Sequence, residues 1–411
     1  MKVHVLQHGL QDMHSHYYGE SVHLKQAIEG MGAECALYVF SGCDPALVSA
    51  LNAHPIFSVP ADRGFDPDPL SKELSGFVVC GTAFAESLSK HLPKRYAADE
   101  WILVPYTTQV EAYGMGLWLN SLPTGARPKV VLFCHRPELI WQCDPTRSKM
   151  QANPSFWRWS GHLMVKAVGA DNVTLATGDA RLADFLGQFS TLKTVVSGLA
   201  TAYFLDAHAL SQIPKDVDVG IVGEFRAERG KNIVPATLAE MDRLRPGLTY
   251  RLQVMNGNDA TELRPQLDAL GFKGQLQVVC GNLPPLEFEA MLARSRVALL
   301  PYRQERYAMR TSGVFSQATA YGVPVVVPSR TWLSDAVQTG QAAGVLFDEW
   351  SAPAIALAVV QAMDHLDQLT ASAAAVAPAW RLKNSPGTVL CSMMAALGIP
   401  LPTKTATSAL A

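Results

Sequence analysis

The chain has 411 residues, of which 48% are apolar and 17% charged, with a formal net charge of −2 at pH 7. That length exceeds one ordinary core and suits two domains of roughly 200 residues each. The near-neutral balance gives no global basic field for nucleic acid or an anionic membrane, and no stretch approaches the roughly 18 apolar residues of a membrane span. The seven cysteines (35, 43, 80, 134, 143, 280 and 391) are scattered without a C-x-x-C pair. That pattern argues against a disulfide framework and a zinc site, and points to a reducing, cytoplasmic setting.

The opening MKVHVLQHGL reads as a strand, Lys2 to Gln7, rather than a signal peptide. A polar loop follows, then a helix from about Glu20 to Met31 and a strand from Cys35 to Phe40. The alternation continues with strands at Phe77 to Cys80, Trp101 to Val104, Val130 to Phe133 and Asn172 to Ala176. Helices fall at Ala83 to His91, Val110 to Leu122 and Asp179 to Phe189. Periodicity fades from Val196 to Lys215, where only Phe204 to Leu210 reads as a short helix, and a domain boundary is expected there. Beyond it the strands are Asp218 to Val222, Tyr250 to Met255, Leu276 to Val279, Val297 to Leu300 and Pro324 to Val327. Between and after them lie helices at Ile233 to Leu244, Leu263 to Leu270, Glu287 to Ala293, Val314 to Tyr321 and Pro353 to Leu369. Strands alternating with helices of this length argue for parallel, doubly wound sheets. The tail from Trp380 to Leu397 is amphipathic, and residues 401–411 are expected to fray.

The segment from Val297 to Leu333 is the most informative. A buried strand exits through Pro301-Tyr302 into a loop carrying Arg303, Arg306 and Arg310, and Thr311-Ser312-Gly313 then opens a helix. Free backbone N–H groups at a helix start, at the positive end of its dipole, make an anion site, and three nearby arginines indicate a phosphate-like anion.

This segment resembles the nucleotide-sugar half of GT-B-fold glycosyltransferases, in particular the large retaining family with a Glu-x7-Glu motif. The matching residues are Ser312-Gly313, Gln317-Ala318 and Gly322-Val323-Pro324-Val325-Val326, and upstream Val222-Gly223-Glu224-Phe225-Arg226-Ala227-Glu228-Arg229-Gly230. The resemblance implies an α/β protein of two Rossmann-like domains facing across a cleft. An acceptor-binding domain would span 1–198 and a nucleotide-sugar domain 199–378. A helical segment, 379–400, would cross back to the first domain, followed by a flexible tail, 401–411. The implied activity is hexosyltransferase-type transfer from a nucleotide-sugar donor to a glycan, lipid-linked saccharide or small-molecule acceptor. The resemblance further implies retention of configuration, no catalytic metal and no cofactor. It places the protein in cell-envelope or polysaccharide biosynthesis, with room for peripheral membrane association at the inner face.

Carried over residue by residue, Arg226 and Arg229 would clamp the diphosphate and join His135 as catalytic groups, with His135 facing the transferred sugar. Donor binding would fall on Gly223, Arg226, Arg229, Lys231, Arg310, Thr311, Ser312, Gly313, Val314 and Gln317. Acceptor binding would fall on Asp12, His16 and Arg136. Two motif positions depart: Gln317 stands where the second glutamate holds the ribose, and Met309 where the first would be, with Glu305 as a replacement from a shifted loop.

Trp157, Trp159, Tyr302 and Tyr307 read as core aromatics or as stacking surfaces for a sugar or base. The His8, Asp12, His14, His16 group has metal-ligand chemistry but lacks the further ligands a metal-dependent barrel hydrolase needs. No dinucleotide fingerprint, Walker loop or nucleophile elbow is present. The competing readings are a sugar-nucleotide epimerase on the same fold and a non-catalytic nucleotide-sugar or carbohydrate binder.

Overall fold

The computed structural model describes residues 1–59, 70–136, 139–140, 151–152 and 154–401; the expected tail lies, from residue 402 on, outside them. The chain divides into two compact units, Met1–Ala202 with Ser385–Ala411, and Tyr203–Asn384.

The first unit opens β1 (Lys2–Gln7), α1 (His16–Gly30), β2 (Glu34–Phe40), α2 (Pro45–Ala50), β3 (His54–Phe57) and α3 (Leu70–His91). It continues with β4 (Glu100–Val104), α4 (Gln109–Ser121), β5 (Lys129–Cys134) and a small antiparallel pair, β6 (Leu139–Ile140) and β7 (Gln151–Ala152). Then come α5 (Pro154–Val168), β8 (Val173–Thr177), α6 (Ala180–Phe189) and β9 (Lys193–Val196). Seven of these strands form one parallel sheet in the order β3-β2-β1-β4-β5-β8-β9. Its central strands are sealed on both faces, which is why they read as unbroken apolar runs.

The second unit comprises α7 (Ala207–Ser211), β10 (Val217–Ile221), α8 (Val234–Leu244), β11 (Thr249–Val254), α9 (Gly257–Ala269), β12 (Gln275–Cys280) and α10 (Pro285–Ala293). It ends with β13 (Ser295–Leu299), α11 (Gln304–Tyr307), α12 (Gly313–Ala320), β14 (Val325–Pro328), α13 (Trp332–Gln338), β15 (Gly344–Phe347), α14 (Ala352–Asp364) and α15 (Leu366–Lys383). Its parallel sheet runs β12-β11-β10-β13-β14-β15. Val219, Ile221, Val297, Leu299 and Val326 of the strands bury against Val234, Leu238 and Met241 of α8 and Ile355 and Val359 of α14. Each of these side chains contributes about 1.5–3 kcal/mol on leaving water.

The last helix, α16 (Pro386–Ala396), belongs to the first unit. Lys129 Nζ bonds Leu397 O at 2.8 Å and Lys193 Nζ bonds Ala396 O at 3.0 Å, so two cations meet the negative end of the helix.

Three sequence expectations change. Phe77 to Cys80 is a stretch of α3, not a strand: Phe77, Phe84 and Leu88 are buried at helical spacing while Val79 is 64% exposed. A four-residue apolar run does not distinguish the two forms by itself. The helix expected over Pro353 to Leu369 breaks at His365 into α14 and α15. The amphipathic Trp380 to Leu397 stretch breaks at Asn384, so Trp380 ends in the second unit and Val389, Leu390 and Met393 in the first.

His4 is wholly buried in the middle of β1, its Nδ1 3.1 Å from Tyr38 Oη and its ring edge-on to Tyr96. Burial pulls its pKa from 6.5 to about 4, outweighing the upward pull of Glu100. The unfolded chain therefore takes up a proton near pH 6.5 that the folded protein refuses until about pH 4. The contribution of His4 is complete above pH 6.5 and is lost as pH falls through that window, by about 3 kcal/mol at most. His4→Gln keeps a partner for Tyr38 without titrating. Urea unfolding across pH 7 to 4 should show a shallower loss of stability in His4→Gln than in the unaltered protein.

Candidate functional site

In an open parallel sheet, the crevice for a ligand lies at the carboxyl ends of the two adjacent strands whose connections leave in opposite directions. In the second unit these strands are β10 and β13. Gly223, just beyond β10, has φ of +112°, and its N–H donates to Gln253 Oε1 at 2.8 Å. Gln253 is in turn fixed by its amide on Gly281 O at 3.0 Å. A β-carbon at Gly223 would lie 3.3 Å from Val314 Cγ2 and 3.4 Å from Arg229 Nη1. The loop after β10, the guanidinium of Arg229 and the first turn of α12 thus converge on one point. Gly230 closes the loop at φ +103°, where a β-carbon would strike Pro301 Cγ at 2.6 Å.

Arg229 donates from Nε to Tyr307 Oη at 3.0 Å, and its Cζ lies 5.8 Å from the centroid of the Tyr302 ring. Its nearest carboxylate, Glu224, is 3.7 Å away and 36% exposed. Burial works against its charge, but Tyr307, Tyr302 and Glu224 together hold the pKa above the ordinary arginine value. Arg310 sits 5.3 Å from the centroid of Tyr307. Arg226 is half exposed and paired to Glu224 at 2.7 Å. Lys231 pairs with Asp259 near the start of α9.

Helix α12 begins at Gly313, with Ser312 as its cap: the hydroxyl accepts the Phe315 N–H at 3.2 Å. Thr311, Ser312 and Val314 are buried and Gly313 is exposed. First-turn amides such as those of Gly313 and Val314 have no acceptor within the helix. Met309 lies in the loop between α11 and α12, and Glu305 is exposed on α11.

Gln317 takes part in a buried network. Its Nε2 donates to Glu289 Oε1 at 3.0 Å, while Glu289 Oε2 accepts the N–H groups of Phe204 and Leu205 at 2.9 Å each. Burial pushes the Glu289 carboxyl above its usual range, opposed by these donors. The neighbouring Ser316 Oγ accepts from Trp380 Nε1 at 3.0 Å and lies 3.3 Å from Tyr203 Oη.

In the first unit the equivalent switch lies between β1 and β4. His135, just past β5, has Nε2 3.0 Å from Pro105 O and 3.7 Å from Glu20 Oε1, and its ring stacks on Tyr106 at 5.6 Å. Arg136 Cζ is 5.6 Å from the Tyr106 centroid, and the His16 ring lies 6.4 Å from the same tyrosine. Tyr106 therefore gathers His16, His135 and Arg136. Asp12 is exposed and accepts the His14 N–H at 2.8 Å. His8 is buried against Glu111, with Nε2 3.1 Å from Oε1. Burial opposes the Glu111 charge, but His8 and Thr108 hold its pKa below the ordinary value. His8 and His16 each lie 6.4 Å from the Tyr106 ring centroid, while Asp12 faces His14. Among the described residues, no three His, Cys, Asp or Glu side chains gather as a metal-binding group, and no helix is long and apolar enough to cross a membrane.

Sequence reasoning missed Gln253, Glu289, Glu20 and Tyr106, and it left Tyr302 and Tyr307 open between core and stacking roles. Gln253 continues the apolar–polar alternation of Tyr250-Arg251-Leu252-Gln253-Val254, so no local signal set it apart.

Replacing Gln317 by Glu sets a second carboxylate against buried Glu289. Like charges at that distance force one carboxyl to hold its proton, so its folded pKa rises above the unfolded value. Stability should then be highest below pH 4.5 and fall as pH rises through the folded pKa, by about 2–3 kcal/mol at pH 8 relative to Gln317. Chemical denaturation of both proteins at pH 5 and pH 8 measures it. Equal differences at the two pH values would contradict the network.

Residues 216–365 match the family model described as Glycosyl transferases group 1. No curated protein matches the chain. Among solved structures, a glycosyltransferase from Rickettsia africae is similar over 98% of this chain and 99% of its own, with a TM-score of 0.63 and 11% identity. HepE from Anabaena, in complex with UDP, covers 97% and 100% with a TM-score of 0.60 and 15% identity. A putative UDP-N-acetylglucosamine 2-epimerase from Listeria monocytogenes covers 96% and 95% with a TM-score of 0.57 and 13% identity. At these identities the structures speak for the fold, two parallel-sheet α/β units of the GT-B type. The chain thus has the two-unit GT-B architecture of these structures, and within its second unit residues 216–365 carry the match to the group 1 glycosyl transferases.

Proposed function

We propose that this protein transfers a sugar from a nucleoside-diphosphate sugar to a glycan, lipid-linked saccharide or small-molecule acceptor, with retention and without a catalytic metal. The observation that carries this reading is the convergence of Gly223, Arg229 and Val314 at the β10–β13 switch point. There the start of a helix, a buried guanidinium and a close-approach glycine face one another. As the bond between sugar and diphosphate breaks, negative charge grows on the departing phosphate. Arg229, Arg226 and the positive end of α12 are placed to stabilise it, as a metal would elsewhere. Lys231, Arg310, Thr311, Ser312, Gly313 and Gln317 complete the donor side in this reading. His135 faces the transferred sugar, and Asp12, His16 and Arg136 contact the acceptor. HepE is described with UDP, and UDP is therefore the first nucleotide to try.

Arg229→Ala should weaken nucleoside-diphosphate binding by about 1.5–3 kcal/mol, and should lower the transfer rate further, because the leaving-group charge is largest in the transition state. Gly313→Val should block binding while leaving the unliganded melting temperature unchanged, since a β-carbon there meets no protein atom within 4 Å. Turnover should persist in excess EDTA. Calorimetry with UDP, GDP and ADP, followed by donor-hydrolysis assays with and without EDTA, measures all three. Full affinity in both variants would place the donor elsewhere, and strict dependence on Mg²⁺ or Mn²⁺ would overturn the metal-free mechanism.

A further inference from the structure

Tyr302 and Tyr307 are almost wholly buried and stack on each other, with centroids 4.1 Å apart and planes inclined by 24°. Tyr302 lies just past β13 and Tyr307 ends the four-residue helix α11, so that helix brings the second ring back over the first. Each ring also carries a guanidinium: Arg229 lies 5.8 Å from the Tyr302 centroid and Arg310 lies 5.3 Å from that of Tyr307. The Tyr307 hydroxyl accepts the Nε–H of Arg229 at 3.0 Å. An arginine bonded through Nε still has two terminal NH₂ groups to offer a bidentate partner; in Arg229, Nη1 also has Glu224 Oε2 at 3.7 Å. Nη1 is the group that lies nearest the β-carbon direction of Gly223, at the mouth of the donor site.

We infer that the Tyr302–Tyr307 stack is a positioning device, in which Tyr307 fixes the Arg229 guanidinium, and its ring steadies Arg310, for a diphosphate. This rests on the donor reading above and adds two residues to it. Neither tyrosine is assigned contact with the nucleotide. An aromatic platform suits the task because it offers attraction to a cation without a formal countercharge. A buried carboxylate in the same place would neutralise the guanidinium that the phosphate needs.

The variants separate positioning from simple core packing. Tyr307→Phe keeps the ring stack and removes only the acceptor for Arg229 Nε. Tyr250→Phe, which removes a buried tyrosine hydroxyl packed on Phe272 elsewhere in the same unit, is the control. Calorimetry uses UDP, GDP, ADP, inorganic pyrophosphate and uridine as probes. Nitrogen-15 NMR of the arginine Nε–H signals, assigned through Arg229→Lys, reports on Arg229 without ligand.

The unaltered protein should show a resolved, slowly exchanging Arg229 Nε–H signal that moves into the fast-exchanging envelope in Tyr307→Phe. Affinity for UDP and pyrophosphate should fall about tenfold in Tyr307→Phe and stay within twofold in Tyr250→Phe, with uridine unaffected in both. Arg229→Ala combined with Tyr307→Phe should bind UDP no more weakly than Arg229→Ala alone, because the two residues act as one. Unchanged UDP affinity in Tyr307→Phe, an equal loss for uridine, or additive losses in the double variant would overturn the positioning role and leave the donor reading standing. If the unaltered protein binds none of the diphosphates or pyrophosphate, the donor reading itself fails and the inference goes with it.

Discussion

A cation withdrawn from water must be held by something other than a strong counter-ion if it is still to bind an anion. That constraint governs the second unit. Arg229 is mostly buried, and its closest carboxylate is a partly exposed Glu224 at 3.7 Å. An exposed pair of that length contributes at most about 1 kcal/mol, too little to offset the desolvation of a guanidinium. The difference is made up by Tyr307, through one hydrogen bond, and by the face of Tyr302. Those aromatics are available only because the chain leaves β13 next to the end of β10, where the strand order reverses. The topology thus precedes the site: it brings an Arg-bearing loop and an aromatic loop together from 78 positions apart in sequence.

The same reasoning accounts for Gln317. A glutamate at this position would face Glu289, which is fully buried and already holds the two N–H groups that begin the unit at Phe204 and Leu205. An amide supplies a third donor where a carboxylate would supply a second negative charge. Gln317 is therefore suited to its neighbour. Its departure from the motif is explained by α10, without any need to count it as loss of function.

These contacts mark where the sequence stops being readable. Val297 to Leu300 and Pro324 to Val327 were legible because strands buried on both faces leave continuous apolar runs between Gly and Pro. Phe77 to Cys80 looks the same yet belongs to α3, since four apolar residues fit a buried helix equally well. The edge strands β3 and β9 escaped notice because His54, Pro55 and Lys193 break the apolar pattern, and edge positions tolerate such residues. At the site, the motif residues announced themselves locally: Arg229 by its loop and Ser312 by its cap. Their partners did not. Nothing near Gln317 in sequence points to Glu289, 28 positions earlier, and nothing near Arg229 points to Tyr307. Local pattern singled out the candidate groups, while the side chains that hold them in place depended on the strand order.

The two switch points also differ in the chemistry they present. In the second unit Arg226, Arg229, Arg310 and Lys231 surround the carboxyl ends of β10 and β13, with a helix start beside them. In the first unit the charges at the corresponding place are largely internal. His8 is closed on Glu111, and Glu20 accepts from Gln7 at 2.9 Å while facing His135 at 3.7 Å. Around Tyr106 lie the stacked ring of His135, the tilted ring of His16 and the Arg136 guanidinium. Rings and imidazoles suit a neutral, hydroxyl-bearing ligand with apolar faces better than a diphosphate, because they stack and exchange hydrogen bonds without demanding a countercharge. The two switch points thus differ in kind: guanidinium groups and a helix start gather beyond β10 and β13, whereas rings and imidazoles gather at Tyr106.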